Sequence, residues 1–142
     1  MLTLTAAAWA PLLVFVGAGC GAVLRWGFGV WCNGAEPGLP WGTLMANLVG
    51  GLGIGLLLAL LEQPAHWGLS LDAARAFRLF AVTGFLGGLT TFSTFSAEVL
   101  GLMAQSRWAE AAFWAAVHLA GSLVLTAIGW LIGTQIGNGI VG

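Results

Sequence analysis

Lysine and tyrosine are absent from this chain, and charge of either sign is scarce, with four basic and five acidic residues in 142. Charged residues make up 6% of it, against about 25% in an ordinary soluble domain. So few charges cannot cover a water-soluble globule of 14.6 kDa, and a soluble enzyme is excluded. The net charge is −1 and no basic run exists to neutralise phosphates, so a nucleic-acid binder is excluded too. No nucleotide-binding loop is present. Cysteine is limited to Cys20 and Cys32, with no histidine at ligand spacing. These two read as small apolar filler, not as a metal site or a disulfide framework. Met1 to Pro11 lack the basic flank of a secretory leader, so the first apolar run is expected to be retained.

What fills the chain instead is apolar: 59% hydrophobic residues and a mean hydropathy of +0.97. A membrane helix needs about 20 mostly apolar residues, whereas a barrel strand needs about 9–11 of alternating polarity. The runs here are long and do not alternate. They predict an all-α integral membrane protein, one membrane domain over residues 1–142, with spans at 9–31, 41–61, 76–103 and 108–133. Asn33, Gly34, Glu36, Pro37, Gly38 and Pro40 break the chain after the first span, and Glu62, Gln63 and Pro64 after the second. The connector that follows holds His66, Asp72, Arg75 and Arg78, and the tail 137–142 is expected to fray. Trp9, Trp31, Trp41, Trp67, Trp108 and Trp130 lie near the run ends, where an interfacial aromatic belt forms. Glycine numbers 23 and clusters in the spans, with Gly51 and Gly55 at small-xxx-small spacing. In lipid such residues let helix backbones approach closely.

The arginines do not favour one orientation. With four spans, Arg75 and Arg78 fall on one side, and Arg107 and Arg25 on the other. The positive-inside rule needs an imbalance, and its absence predicts insertion both ways up, which permits an antiparallel homodimer.

Polar chemistry concentrates in span three. The run Gly87-Gly88-Leu89-Thr90-Thr91-Phe92-Ser93-Thr94-Phe95-Ser96-Ala97-Glu98 pairs two glycines with hydroxyls at Thr90, Thr91, Ser93, Thr94 and Ser96. Hydroxyl side chains compete for backbone hydrogen bonds and glycine weakens helices, so a break is predicted here. At membrane depth a break is tolerated where the freed groups line a cavity or bind an ion. Glu98 is a carboxylate inside a span, a functional signal in itself, and follows Thr94 by four residues on one helix face. Two stripes at spacing four add to it: Thr43, Asn47, Gly51 and Gly55 in span two, and His118, Ser122 and Thr126 in span four. Lipid cannot satisfy such groups, so they face the bundle. Asn47 reads as a site residue and His118 as hydrogen-bonding glue between helices. Phe92 and Phe95 have the spacing of core residues, but a ring turned edge-on also presents a positive rim to an anion.

The string Gly87 to Ser96 with Glu98 resembles the signature of the Fluc/CrcB fluoride channels. Gly21-Ala22-Val23-Leu24-Arg25, Gly42-Thr43-Leu44-Met45-Ala46-Asn47, and His118 with Gly121-Ser122 are similar to further motifs of that family, in order along the chain. The resemblance implies four helices with a break in the third, assembled as an antiparallel dual-topology homodimer in a prokaryotic inner membrane. It implies passive fluoride export that relieves cytoplasmic fluoride toxicity. The implied pathway comprises Asn47, Phe92, Phe95, Thr43, Ser93, Thr94 and Glu98, with Ser122 and Thr126 in span four and Arg25 in the vestibule. It also implies a structural Na⁺ at the dimer interface, on the backbone carbonyls of Gly87 and Thr90. Relatives often carry a tyrosine early in span four, where this chain has Trp114. The implied partners are fluoride, a second copy and the bilayer, with no nucleic acid or nucleotide. The alternative is a proton-coupled exporter in the style of small dual-topology multidrug transporters. Those place the essential carboxylate in span one, where this chain has Arg25.

Overall fold

Each long apolar run of the sequence is wound into helix. The computed structural model describes residues 4–33, 40–62 and 64–139. Its helices are α1 (Leu4–Cys32), α2 (Trp41–Leu60), α3 (Leu71–Arg78), α4 (Gly87–Leu89), α5 (Phe92–Ala104) and α6 (Trp108–Gly139). Among the described residues there is no strand. Four segments are long and apolar enough to cross a membrane: Ala8–Cys32, Trp41–Leu60, Leu71–Ala104 and Trp108–Gly139. A helix satisfies its own backbone within one segment, which hydrocarbon demands. The chain is therefore a multi-pass membrane protein, and all-helical as its sequence predicts.

The ends differ from expectation in three places, the first being α1, which begins at Leu4 and not at residue 9. The connector after α2 is ordered into a 3₁₀ turn at Pro64–Trp67, then a turn at Gly68 with φ +64°. Ser70 next accepts the Ala73 N–H at 3.2 Å, and Asp72 lies in the first turn beside the helix N-terminus. This capping starts α3 at Leu71 instead of residue 76. At the other end, no proline or charge stops α6 at residue 133, and it continues to Gly139. The predicted breakers Gly34, Glu36, Pro37, Gly38 and Gln63 lie outside the described residues, as do the last three residues of the tail.

Glycine sets the packing. A Cβ on Gly21 would collide with the Phe85 carbonyl and lie 2.7 Å from the Leu89 nitrogen. One on Gly55 would collide with the Thr126 carbonyl and lie 2.8 Å from the Trp130 nitrogen. So α1 lies backbone-to-backbone on the third segment, and α2 on α6, by the close approach that replaces hydrophobic drive in lipid. Leu44, Leu102, Ala111 and Trp114 form one buried cluster, and Ala46, Leu86 and Leu89 another.

The third segment changes winding twice. Leu79–Leu86 is π-helical, and the Gly87 N–H reaches Val82 O, five residues back, as well as Gly84 O. After the short α4, Thr90 (φ −79°, ψ 152°) and Thr91 (φ −151°, ψ 124°) are extended, and α5 starts at Phe92.

Candidate functional site: a polar seam between three helices

Thr91 is the centre of the seam. Its hydroxyl accepts the Thr94 N–H at 3.2 Å, capping α5, and contacts the Ser93 and Thr94 hydroxyls at 3.2 and 3.1 Å. Its extended backbone has no helical partner and meets Asn47 of α2. The Thr91 N–H donates to Asn47 Oδ1 at 2.8 Å, and Asn47 Nδ2 donates to the Thr91 carbonyl at 3.1 Å. This two-way bond fixes the amide orientation, because a flipped amide would set donor against donor and acceptor against acceptor. Buried backbone polar groups need such partners, and here a side chain supplies both.

The remaining Asn47 hydrogen points to His118 of α6, with Nδ2 and Nδ1 3.2 Å apart. His118 is buried at 3% exposure and stacks on Phe95, ring centroids 4.8 Å apart and planes 29° from parallel. Phe95 is buried as well, while Phe92, 5.3 Å from it, is 72% exposed. One turn before Asn47, Thr43 donates its hydroxyl to Glu98 Oε1 at 2.5 Å. Glu98 Oε2 and His118 Nε2 are buried without a hydrogen-bond partner among the described residues. Trp114 extends the aromatic wall from His118, at 6.4 Å between centroids, to Trp41, at 5.0 Å.

Sequence-predicted residues thus converge from two helices, Thr43 and Asn47 from α2 and Ser93, Thr94, Phe95 and Glu98 from α5, and His118 of α6 joins them. Ser122 and Thr126 sit elsewhere on α6, against the glycine face of α2. The Thr126 hydroxyl donates to its own helix at Ser122 O, 2.8 Å away, and a Cβ on Gly51 would lie 2.9 Å from that same oxygen. Arg25 is half-buried on α1 and makes no hydrogen bond or ion pair with the described residues. Two participants went beyond the sequence reading. Thr91 was readable only as one hydroxyl among five, although a threonine directly before a helix with Thr94 three residues on is a capping signal. His118 was assigned to glue, and its place on Phe95 depends on packing that spacing alone does not give.

The carbonyls of Gly87 and Thr90 are released by the same hydrogen bonds. In a continuous helix the Thr91 N–H would serve Gly87 O, and the Thr94 N–H would serve Thr90 O. Here Thr91 N–H donates to Asn47 and Thr94 N–H to the Thr91 hydroxyl. The Thr90 N–H donates to Leu86 O at 2.9 Å. A pair of freed carbonyls suits a hard cation, which takes oxygen ligands. Among the described residues no group of three or more His, Cys, Asp or Glu side chains could hold a metal.

Four membrane-crossing segments, with hydroxyls, an amide, an imidazole, a carboxylate and a phenyl ring meeting inside the bundle, define a small helical membrane protein with an ion-competent polar seam. Residues 12–130 match the family model described as CrcB-like protein, Camphor Resistance (CrcB), and the chain belongs to that family. It is 46% identical over 123 residues to the fluoride-specific ion channel FluC of Marinobacter nauticus, covering 87% of this chain and 93% of that protein. The fluoride-specific ion channel FluC of Thiobacillus denitrificans is 50% identical over 119 residues, covering 84% and 91%. That of Bordetella bronchiseptica is 52% identical over 118 residues, covering 83% and 86%.

Proposed function

We propose that this protein is a fluoride-selective channel that lets fluoride leave the cytoplasm of a prokaryotic cell passively and electrogenically. The observation that carries the reading is the near full-length identity of about half to several proteins named as fluoride-specific channels. The seam supports it chemically. Fluoride is small and strongly hydrated, so a selective path replaces its water with fixed donors and positive ring edges. The Ser93 and Thr94 hydroxyls and the ring edges of Phe92 and Phe95 would supply that chemistry, while Asn47, which donates to Thr91 and His118, and Thr43, whose hydroxyl donates to Glu98 Oε1, would line the path and hold it in shape. Ser122 and Thr126 would continue the path on α6 and Arg25 would attract the anion at its mouth. HF crosses membranes neutral and ionises inside. A potential negative inside then drives the anion out at about 2.3 kcal/mol per charge per 100 mV, so no fuel is required.

The same reading makes the functional unit an antiparallel dual-topology homodimer. The balanced arginines support it, and so does the outer face, where Gly87 and the Phe92 ring are exposed. Lipid offers no donor to freed carbonyls, so a second copy must cover that face with an ion. Na⁺ fits there on the Gly87 and Thr90 carbonyls. When bound it would supply positive charge that holds the interrupted segments of two copies together. The proton-coupled alternative requires an exchangeable carboxylate in the first span, which α1 lacks.

Efflux from fluoride-loaded proteoliposomes, followed with a fluoride electrode, tests the function. Rapid release only when a potassium ionophore compensates charge is the expected result. Release that follows an imposed proton gradient and needs no charge compensation would favour the exporter.

A further inference from the structure

His118 is set apart from the other polar groups of the seam by what is left over on its ring. The Asn47 amide cannot flip, because the Thr91 backbone holds both its ends. Its nitrogen, which only donates, therefore faces His118 Nδ1. Nδ1 must accept, so the ring proton sits on Nε2 and the imidazole is neutral. A proton on Nδ1 would set two donors against each other at 3.2 Å. The Nε2–H so created is buried and without a partner among the described residues. A buried donor left unmade is costly, and a stranded one in a membrane seam calls for a ligand. Its ring lies nearly parallel to Phe95, so the edges of imidazole and phenyl lie side by side.

We propose that His118 Nε2–H is a donor to the permeating anion. Asn47 locks it in that tautomer, and it adds a full N–H hydrogen bond beside the weaker positive edge of Phe95. This rests on the fluoride-channel reading above and assigns to that path a donor beyond the residues already placed in it. A neutral N–H suits a transit site better than a cation would, because binding must be strong enough to strip water and weak enough to release.

The chain has two histidines, and His66 is exposed in the connector. His66→Gln therefore leaves His118 as the sole imidazole. With ¹⁵N-histidine in this parent, Nδ1 should show the chemical shift of an unprotonated acceptor nitrogen and Nε2 that of a protonated one in fluoride-free buffer. Fluoride, but not chloride at equal ionic strength, should shift Nε2. His118→Asn keeps an acceptor toward Asn47 and deletes the Nε2 donor. Its fluoride efflux should fall at least about tenfold, equal to about 1.4 kcal/mol of barrier. His118→Gln restores a donor near Nε2 and should recover part of that loss. A proton found on Nδ1, an Nε2 blind to fluoride, or full efflux from His118→Asn each overturns the proposal. So does an Nε2 signal that moves on Glu98→Gln in fluoride-free buffer and ignores fluoride, since the N–H would then belong to the carboxylate. The two failures separate: a parent without fluoride efflux overturns the channel reading, whereas efflux with a silent Nε2 overturns this inference alone.

Discussion

Replacing Asn47 by alanine tests whether the amide holds the third segment in its interrupted shape. The substitution removes contacts at 2.8, 3.1 and 3.2 Å, two to the Thr91 backbone and one to His118. Thr91 is 8% exposed, so its N–H and carbonyl are stranded away from water. Each buried unsatisfied group costs about 1–3 kcal/mol, giving a floor of about 2 kcal/mol for the pair. A second route reaches the same floor: polar contacts between membrane helices average about 0.6 kcal/mol, and three of them sum to about 2. The eight tryptophans give a fluorescence signal for reversible unfolding of the detergent-solubilised protein in rising SDS. Asn47→Ala is expected to lose about 2 kcal/mol or more in that titration. Asn47→Asp should do no better. Its second oxygen would face the Thr91 carbonyl and the His118 lone pair, acceptor against acceptor. Thr126→Val is the matched control, because that hydroxyl bonds only its own helix at Ser122 O. Its cost should stay within about 0.5 kcal/mol, as for changes away from buried networks. An Asn47→Ala protein no less stable than Thr126→Val would refute the claim that the amide carries the Thr91 backbone.

Gly21→Ala forces a methyl onto the main chain of Phe85 and should cost about 1–3 kcal/mol in the same titration, the usual range for overpacking. Gly19→Ala, two residues away on a face with nothing within 4 Å, should be neutral or gain up to about 1 kcal/mol of helix propensity. Equal effects at both positions would contradict the packing described. Phe95→Ile keeps apolar bulk but removes the ring edge, so proteoliposome efflux should drop at least about tenfold while the cross-linked mass of the proposed dimer is unchanged. Intact flux and selectivity with Ile at both Phe92 and Phe95 would reduce the rings to packing. Exchanging Na⁺ for a large organic cation on both sides should lower flux or dimer stability. Thr90→Ala should remain sodium-responsive, because a carbonyl and not the hydroxyl is the proposed ligand. Unchanged flux in Na⁺-free buffer would remove the cation from the scheme.

How far the sequence reaches is visible at Thr91 and Asn47. Spacing by four put Thr43 and Asn47 on one face of α2, and hydrocarbon forced that face inward, so their burial was legible. The weakness of the helix around Thr90 was legible as well, since glycine and hydroxyl residues disfavour it locally. Partner choice was not. The bonds that build the seam join residues 44, 55 and 71 positions apart, and no local rule relates such distances. Nor could spacing tell that one amide would take both backbone groups of a single residue. That arrangement answers a question the sequence poses without solving: what satisfies the Thr91 backbone once the helix stops. A hydroxyl can donate and accept, but its single oxygen cannot meet both the N–H and the carbonyl of an extended residue, which lie side by side several ångströms apart along the chain. A carboxylate only accepts. The asparagine amide has an acceptor and a donor at the separation of a β-bridge, with a second hydrogen left for His118. The residue type at position 47 is therefore set by the geometry of Thr91 before any ion enters. Both amide hydrogens are engaged, so in the proposed path the free N–H falls to His118 Nε2 and not to Asn47.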